Sequence, residues 1–415
     1  MDHLGLFRME LGLERMQKAL QRLDFWPGEP ALVQIIGTNG KGSTASYLES
    51  LARIHGLKTG IFTSPHLVSV KERVLINGEK LSDHAWLKAA NRVDGSCGDL
   101  ELTYFEILTL AAVIMFQGAG VDVGVMEAGL GGRYDATTTL EAGMQVYTCI
   151  DMDHTSILGE SLGEIARDKA MAVRADSTVI LARQNYPLAA DTVESQVSES
   201  GARLCRVQDF FVQKEAGTLF TGDPNFFVSA EVPGLRGDYQ LQNAETALVA
   251  WRILSESLDL EMDPDRCLRA LQDTFLPGRM HVVSSDPLII LDGAHNPGAL
   301  TRVHSFLQRR DIRPGHIVFT CLNDKEIEPM LQMLGCFRPA TVLVPDMGFG
   351  PRSMDRQELL HLLGDGARAL DDLEGFLRSL APGDDPVLVC GSLYLLGHVY
   401  RLFPEWMGKR QVGQV

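Results

Sequence analysis

The sequence predicts an α/β fold: a mostly parallel sheet that carries a phosphate-binding loop, followed by a smaller α/β domain. Three observations carry this reading. The apolar run Ala31-Leu32-Val33-Gln34-Ile35-Ile36 leads into Gly37-Thr38-Asn39-Gly40-Lys41-Gly42-Ser43-Thr44 and then into helical apolar spacing. Strand-like runs next alternate with helix-like segments, and each run releases polar residues at its C-terminal end, where open parallel sheets bind ligands. The alternation halts after Leu276-Pro277-Gly278-Arg279 and begins afresh at Pro287, so two domains are expected, 1–283 and 284–415.

A buried strand that turns through glycines into a helix exposes backbone N–H groups at the helix N-terminus. The partial positive charge there suits a phosphate, and Lys41 adds a full charge. A nucleoside triphosphate is the natural ligand. Against the common pattern G-x-x-x-x-G-K-[ST], the first glycine lies two residues nearer and Gly42 displaces the hydroxyl residue by one place. Taken alone, the stretch also reads as an ordinary glycine turn with a surface lysine.

Composition excludes several classes. At 415 residues the chain can bury its cores without disulfide or metal staples. Its seven cysteines (Cys97, Cys149, Cys205, Cys267, Cys321, Cys336, Cys390) lie far apart and never form C-x-x-C, which argues against a disulfide framework and a cysteine zinc site. A net charge of -16 disfavours nonspecific nucleic-acid binding and anionic membranes, which need a basic footprint. No apolar run approaches a membrane span and the start lacks a basic leader, so a cytoplasmic protein is expected.

In chain order, Leu6 to Leu23 has helical spacing, as does Ala45 to Leu57. Lys58 to Phe62 reads as a strand that releases Thr63-Ser64-Pro65-His66. Leu102 to Glu106 leads into an apolar helix through Phe116. Val121 to Met126 is a strand that delivers Glu127 and then Gly129-Leu130-Gly131-Gly132-Arg133-Tyr134-Asp135-Ala136-Thr137. Gln145 to Ile150 ends in Asp151-Met152-Asp153-His154, the helix Ser161 to Val173 contains Lys169, and Ser177 to Leu181 is a further strand. The stretch 202–232 is short-patterned and β-rich; helices follow from Gly237 to Leu258 and from Pro264 to Leu271. The second domain has strands at Pro287 to Leu291, Ile317 to Thr320, Thr341 to Val344 and Val387 to Cys390.

Lys41, Ser64, Glu127 and His154 all sit at strand ends of one predicted sheet and can converge on a nucleotide. Mg²⁺ prefers oxygen ligands and bridges phosphates, so a serine hydroxyl and one carboxylate are a fitting protein contribution, with a neutral histidine less usual. Each has a plainer reading alone: Ser64 as a turn residue, Glu127 as an ion-paired acid, His154 as a satisfied loop histidine. Phe105 reads equally as core packing.

These motifs together resemble the folylpolyglutamate synthase/dihydrofolate synthase family of the Mur-type ATP-dependent amide ligases. The resemblance runs in order through Gly12-Leu13-Glu14-Arg15, the phosphate loop, Thr63 to Leu67, Leu102 to Glu106, Glu127 to Thr137, Asp153-His154-Thr155, Asp168-Lys169-Ala170, Asn243-Ala244, Pro277 to Arg279, Asp292 to Pro297, Asp324-Lys325 and Cys390 to Tyr394. It implies a Rossmann-like ATPase domain with a smaller Rossmann-like C-terminal domain, acting as an ATP-dependent ligase that joins L-glutamate to dihydropteroate and reduced folates. ATP contacts are implied at Gly40, Lys41, Gly42, Ser43, Asn243, Arg279 and Asp292, and magnesium, as two ions, at Ser64, Glu127 and His154. Pterin contacts are implied at Glu10, Leu11, Gly12, Leu13, Thr103, Tyr104, Phe105, Glu106, Tyr134, Asp135 and Ala136. Phe105 is expected as a flat wall, and Asp135 as an acceptor for pterin N–H groups whose loss weakens dihydropteroate more than tail extension.

Lys41, Lys169 and His295 are the implied catalytic residues. Lys169 matches a lysine carbamylated in relatives, and His295 reads equally as a structural histidine. The chain departs from the family at Asp168, where glutamate is usual, and at Met171, whose bulk follows Lys169 where glycine is usual. A monomer working on small molecules is expected, with no nucleic acid or membrane partner. A Mur-type ligase for a non-folate carboxylate and a nucleotide-binding regulatory protein are the other readings.

Overall fold

The computed structural model describes residues 12–25, 31–210, 234–323, 327–347 and 353–408. The calls at Glu10, Leu11 and Asp324-Lys325 therefore lie outside the described residues, as does most of the stretch expected to be β-rich.

The chain forms two compact units. The first holds the described residues through Asp151 together with those of Leu158–Gly234 and Gln240–Thr274. Its strands are β1 (Ala31–Ile36), β2 (Thr59–Phe62), β3 (Val74–Ile76), β4 (Glu79–Lys80), β5 (Val123–Glu127), β6 (Met144–Tyr147), β7 (Thr178–Leu181) and β8 (Arg203–Arg206). They lie in the order β4-β3-β2-β5-β1-β6-β7-β8. Pairing is parallel except between β2 and β3 and between β3 and β4. Around the sheet run α1 (Glu14–Arg22), α2 (Lys41–Ile54), α3 (Asp83–Cys97), α4 (Tyr104–Ala119), α5 (Thr155–Leu158), α6 (Leu162–Ala170), α7 (Pro187–Ser200), α8 (Asp238–Ser257) and α9 (Pro264–Asp273).

Parallel strands covered on both faces read as continuous apolar runs, and β1 and β5 do so because both are buried along almost their whole length. The exceptions are satisfied locally. Gln34, inside β1, donates through Nε2 to Thr137 Oγ1 at 2.9 Å and Thr138 Oγ1 at 2.8 Å, which ties the central strand to the loop after β5. α4 starts at a capping box: Thr103 Oγ1 accepts the Glu106 N–H, and the Glu106 carboxylate accepts the Thr103 N–H at 2.7 Å. It ends at Gly120, whose φ of 62° suits glycine. Phe116 of α4 fills a slot made by two glycines paired across adjacent strands, Gly60 of β2 and Gly124 of β5. A Cβ at either would meet its ring, at 2.6 Å from Gly60 and 3.1 Å from Gly124. Burying that ring contributes about 1.5–3 kcal/mol.

The C-terminal end of α2 is fixed by His55. Its Nδ1 lies 2.7 Å from the Leu51 carbonyl, its Nε2 accepts the Asp263 N–H at 3.2 Å, and Trp251 lies against the ring. Burial, aided by Arg266, pushes the His55 pKa below its ordinary 6.5, so the fold favours the neutral ring. Its stabilising contribution is complete above the unfolded-state pKa and is lost as pH falls from there through the folded-state value. We expect melting temperature to drop between pH 7 and 5 more steeply for the unmodified protein than for His55→Gln. Equal slopes in paired thermal melts would remove His55 as the titrating group.

The second unit holds Met152–Ile157, Leu235–Tyr239 and the described residues from Phe275 onward. Its strands are β9 (His281–Ser285), β10 (Leu288–Leu291), β11 (His316–Phe319), β12 (Thr341–Pro345), β13 (Ala367–Leu370) and β14 (Val387–Cys390), in the order β13-β12-β11-β14-β10-β9. Only the β9–β10 pair of this sheet is antiparallel among the described residues. The expected division near residue 283 falls inside β9, which pairs with β10 and so belongs with the second unit. Helix α10 (Pro297–Arg309) follows β10, with Asn296 as N-cap. Among the described residues no helix is long and apolar enough to cross a membrane.

Candidate active site

The loop between β1 and α2 is shaped to receive an anion. Gly40, the residue before α2, has a φ of 91° and offers no side-chain cap to the helix. A side chain there would also strike Asn243 Oδ1, so glycine is required twice over. Asn243 in turn donates through Nδ2 to Gln240 Oε1 at 2.8 Å. Lys41 Nζ donates to the Gly37 and Thr38 carbonyls, each at 3.1 Å, and so spans the loop. On its other side the loop is pinned to the end of β6, where Thr38 N and Asn39 N donate to Cys149 O at 2.9 and 3.1 Å. Ser43 is buried in the first turn, and Gly42 O accepts the Ser46 hydroxyl at 2.8 Å.

Ser64 and Glu127 are brought together. β2 and β5 are parallel neighbours with Phe62 beside Met126, so the residues just past each strand emerge at the same edge. The Ser64 N–H donates to Glu127 Oε2 at 2.9 Å, and Glu127 is buried. Beside them Arg73, itself buried, donates through Nε to His66 Nδ1 at 2.9 Å and lies over the Tyr104 ring. Burial, with the Arg73 charge adding to it, pushes the His66 pKa down.

Lys169 is buried at the end of α6, and its Nζ donates to Gly37 O at 3.0 Å. It thereby reaches the first residue of the phosphate loop. Met171 is 42% exposed, so the bulk expected beside Lys169 points to solvent.

The glycine loop after β5 corrects one expectation. Asp135 is buried, and its Oδ2 accepts the N–H groups of Gly129 and Leu130 at 2.8 and 2.9 Å. Its Oδ1 accepts the Thr137 N–H at 2.9 Å and the Thr137 hydroxyl at 2.5 Å. A carboxylate has about four acceptor sites, and all are taken by its own loop. Asp135 therefore organises this loop and does not offer its carboxylate to a pterin. Burial pushes its pKa up, against the pull of these donors.

Thr103 and Glu106 are likewise committed: both form the α4 cap, and Glu106 also pairs with Arg15 at 3.3 Å, tying α1 to α4. That leaves the rings of Tyr104 and Phe105. Phe105 stands against Phe62 at 5.6 Å, and a Cβ at Gly129 would lie 2.6 Å from its ring. Tyr134 is exposed with the Arg133 guanidinium 4.8 Å over its ring, whereas Ala136 is buried. Gly12, with φ 130°, and Leu13 immediately precede α1.

In the second unit Asp292 is buried and accepts from Met280 N at 2.7 Å, Ala294 N at 2.8 Å and the Tyr239 hydroxyl at 3.3 Å. Burial raises its pKa although the Arg279 charge opposes this. His295 Nδ1 lies 2.7 Å from Gly293 O, and its Nε2 is 3.6 Å from Asp153 Oδ2. The same Asp153 oxygen accepts from Asn296 Nδ2 at 3.1 Å, while Asp153 Oδ1 accepts the His154 N–H at 2.8 Å. His154 itself has a φ of 52°. Asp153 thus links His154, His295 and Asn296, a role the sequence reading missed; its place next to His154 was the available signal. Among the described residues no group of three or more His, Cys, Asp or Glu is arranged to hold a metal ion.

Comparison with known proteins agrees with this geometry. Residues 278–393 match the family model described as Mur ligase, glutamate ligase domain. The chain is 32% identical over 405 residues to the Escherichia coli K12 protein named dihydrofolate synthase/folylpolyglutamate synthase, covering 96% of this chain and 93% of that one. The solved structure of E. coli FolC in complex with DHPP and ADP is similar, with a TM-score of 0.86 at 31% identity, covering 97% of this chain and 96% of that one. The bifunctional folylpolyglutamate synthase/dihydrofolate synthase from Yersinia pestis, solved with AMPPNP and a Mn ion, gives a TM-score of 0.83 at 32% identity over the same shares of 97% and 96%.

Proposed function

Since the chain belongs to the dihydrofolate synthase/folylpolyglutamate synthase family, we propose that it is an ATP-dependent ligase joining L-glutamate to dihydropteroate and to reduced folates. The observation that carries this reading is the meeting, in one unit, of the phosphate loop, the Ser64–Glu127 pair and Lys169.

A carboxylate is a poor acyl electrophile. Transfer of the ATP γ-phosphoryl to it gives an acyl phosphate; the α-amine of glutamate then forms the amide and expels phosphate. The loop N–H groups at the start of α2 and the Lys41 ammonium hold and neutralise the phosphoryl oxygens, so most of the protein's contribution is positioning and charge stabilisation. The Glu127 carboxylate and Ser64 hydroxyl, at one sheet edge, are hard oxygen donors suited to Mg²⁺. When bound, the metal bridges and neutralises phosphate oxygens. His154 is assigned as its further protein ligand.

We assign two divalent ions to the site. The buried Lys169 is assigned a carbamate, formed when its neutral amine adds to CO₂ and loses a proton. Tyr104 and Phe105 supply the pterin wall. Gly40, Gly42, Ser43, Asn243, Arg279 and Asp292 contact ATP, and His295 orients a reacting group. The ATP-binding part remains assigned to 1–283 and the glutamate-ligase part to 284–415, with β9 moved to the latter. A cytoplasmic monomer that binds small molecules and neither nucleic acid nor membrane fits the net charge of -16.

Two measurements test the proposal. With ATP, Mg²⁺ and glutamate, both dihydropteroate and a reduced folate should give products heavier by one glutamate residue. Carboxyl-¹⁸O-labelled substrate should pass one labelled oxygen to inorganic phosphate. Label in AMP would indicate adenylation and overturn the acyl phosphate; turnover without either folate would overturn the substrate assignment.

A further inference from the structure

Resting on the ligase reading, we propose that Asp168 is a positioning residue: by accepting the Gly132 N–H it locks the glycine loop onto the end of α6 and so sets Lys169 against the phosphate loop.

The contact is made backbone to backbone. Asp168 Oδ1 accepts the Gly132 N–H at 3.0 Å, and the Asp168 carbonyl accepts the Arg133 N–H at 3.0 Å. Gly131, with φ 68°, leaves room for the Asp168 carboxylate, which a side chain there would strike. A Cβ at Gly132 would lie 2.5 Å from the Lys169 carbonyl oxygen. No side-chain layer separates loop from helix at these two glycines, so a shift in one displaces the other.

The same helix end is gripped from the sheet. Tyr147 of β6, fully buried, donates its hydroxyl to Lys169 O at 3.0 Å, and Gln145 of β6 donates through Nε2 to Ala172 O at 2.6 Å. From this clamped backbone Lys169 reaches Gly37 O. The Asp135-centred loop and the head of the phosphate loop are thereby joined through residues 168 and 169. Displacing a reacting-site group by about 1 Å costs on the order of 10²-fold in rate, which makes the clamp matter for turnover.

The bond uses a lone pair, and the charge is incidental to it. Asp168→Asn keeps an oxygen for the Gly132 N–H, whereas Asp168→Ala leaves that N–H without its acceptor. Amide exchange at Gly132 and Arg133 in the ligand-free protein, with kcat, the KM for glutamate and the Mg²⁺ concentration for half-maximal rate, tests the proposal. In Asp168→Ala we expect exchange roughly tenfold faster or more, kcat lower by about 10–100-fold, a raised Mg²⁺ requirement and an unchanged glutamate KM. Asp168→Asn should restore all four to near the unmodified values. Two results would overturn the proposal: Asp168→Ala with unaltered exchange and kcat, or Asp168→Asn as slow in turnover as Asp168→Ala while its exchange stays slow. If the unmodified protein turns over no folate, the ligase reading fails, and the exchange measurement still decides whether Asp168 locks the loop.

Discussion

Glu127→Gln and Lys41→Ala each lower turnover by on the order of 10²–10³-fold, the effect of losing one preorganised electrostatic group. Glu127 is buried at the end of β5, and Glu→Gln keeps its volume and one carbonyl oxygen. That oxygen can still accept the Ser64 N–H, so the sheet edge is retained and the change falls on the charge. Lys41→Ala removes two hydrogen bonds to loop carbonyls, but Gly37 and Thr38 stay fixed by β6 through Thr148, Cys149 and Asp151. Far-UV circular dichroism and thermal melts should match the unmodified protein. Turnover near the unmodified rate in either folded variant would take that residue out of the site.

Asp135→Ala is the second large effect, and its pattern reverses the one expected from sequence. Three buried backbone donors, at Gly129, Leu130 and Thr137, lose their acceptor. Each costs about 1–3 kcal/mol if left dry. The loop instead opens to water, so part of that cost appears as disorder next to Phe105 and Lys169. We expect a lower melting temperature and equal proportional losses with dihydropteroate and with a reduced folate, because both need the same loop. Selective loss with dihydropteroate at an unchanged melting temperature would show that the carboxylate meets the pterin directly.

Much of the scaffold was legible because its signals are local. β1, β2, β5 and β7 are short apolar runs closed by glycine or polar residues, and the Thr103–Glu106 capping box marks the α4 start four residues at a time. The β3–β4 hairpin, α3, α7 and β8 escaped the reading. α3 carries polar and small residues with only Trp86, Ala89, Val93 and Cys97 buried, and the hairpin has few inward residues to betray a period of two. β9 was divided because its membership depends on pairing with β10, which is a long-range fact.

Sequence by itself determined the parallel α/β class, the restart after Arg279, the phosphate loop and the identity of the groups able to do phosphoryl chemistry, since each follows from residue type and spacing along a few turns. Only the tertiary structure decided what those groups are bonded to. Hydrogen bonds saturate: Asp135, a ligand candidate by type, has its oxygens filled by residues six or fewer positions away, while Met171, bulky by type, turns outward at the end of α6. Asp153 and Asp168 gained their roles from partners at 143 and 36 positions' distance in the chain, Asn296 and Gly132, and a spacing that long leaves no periodic signal in the sequence.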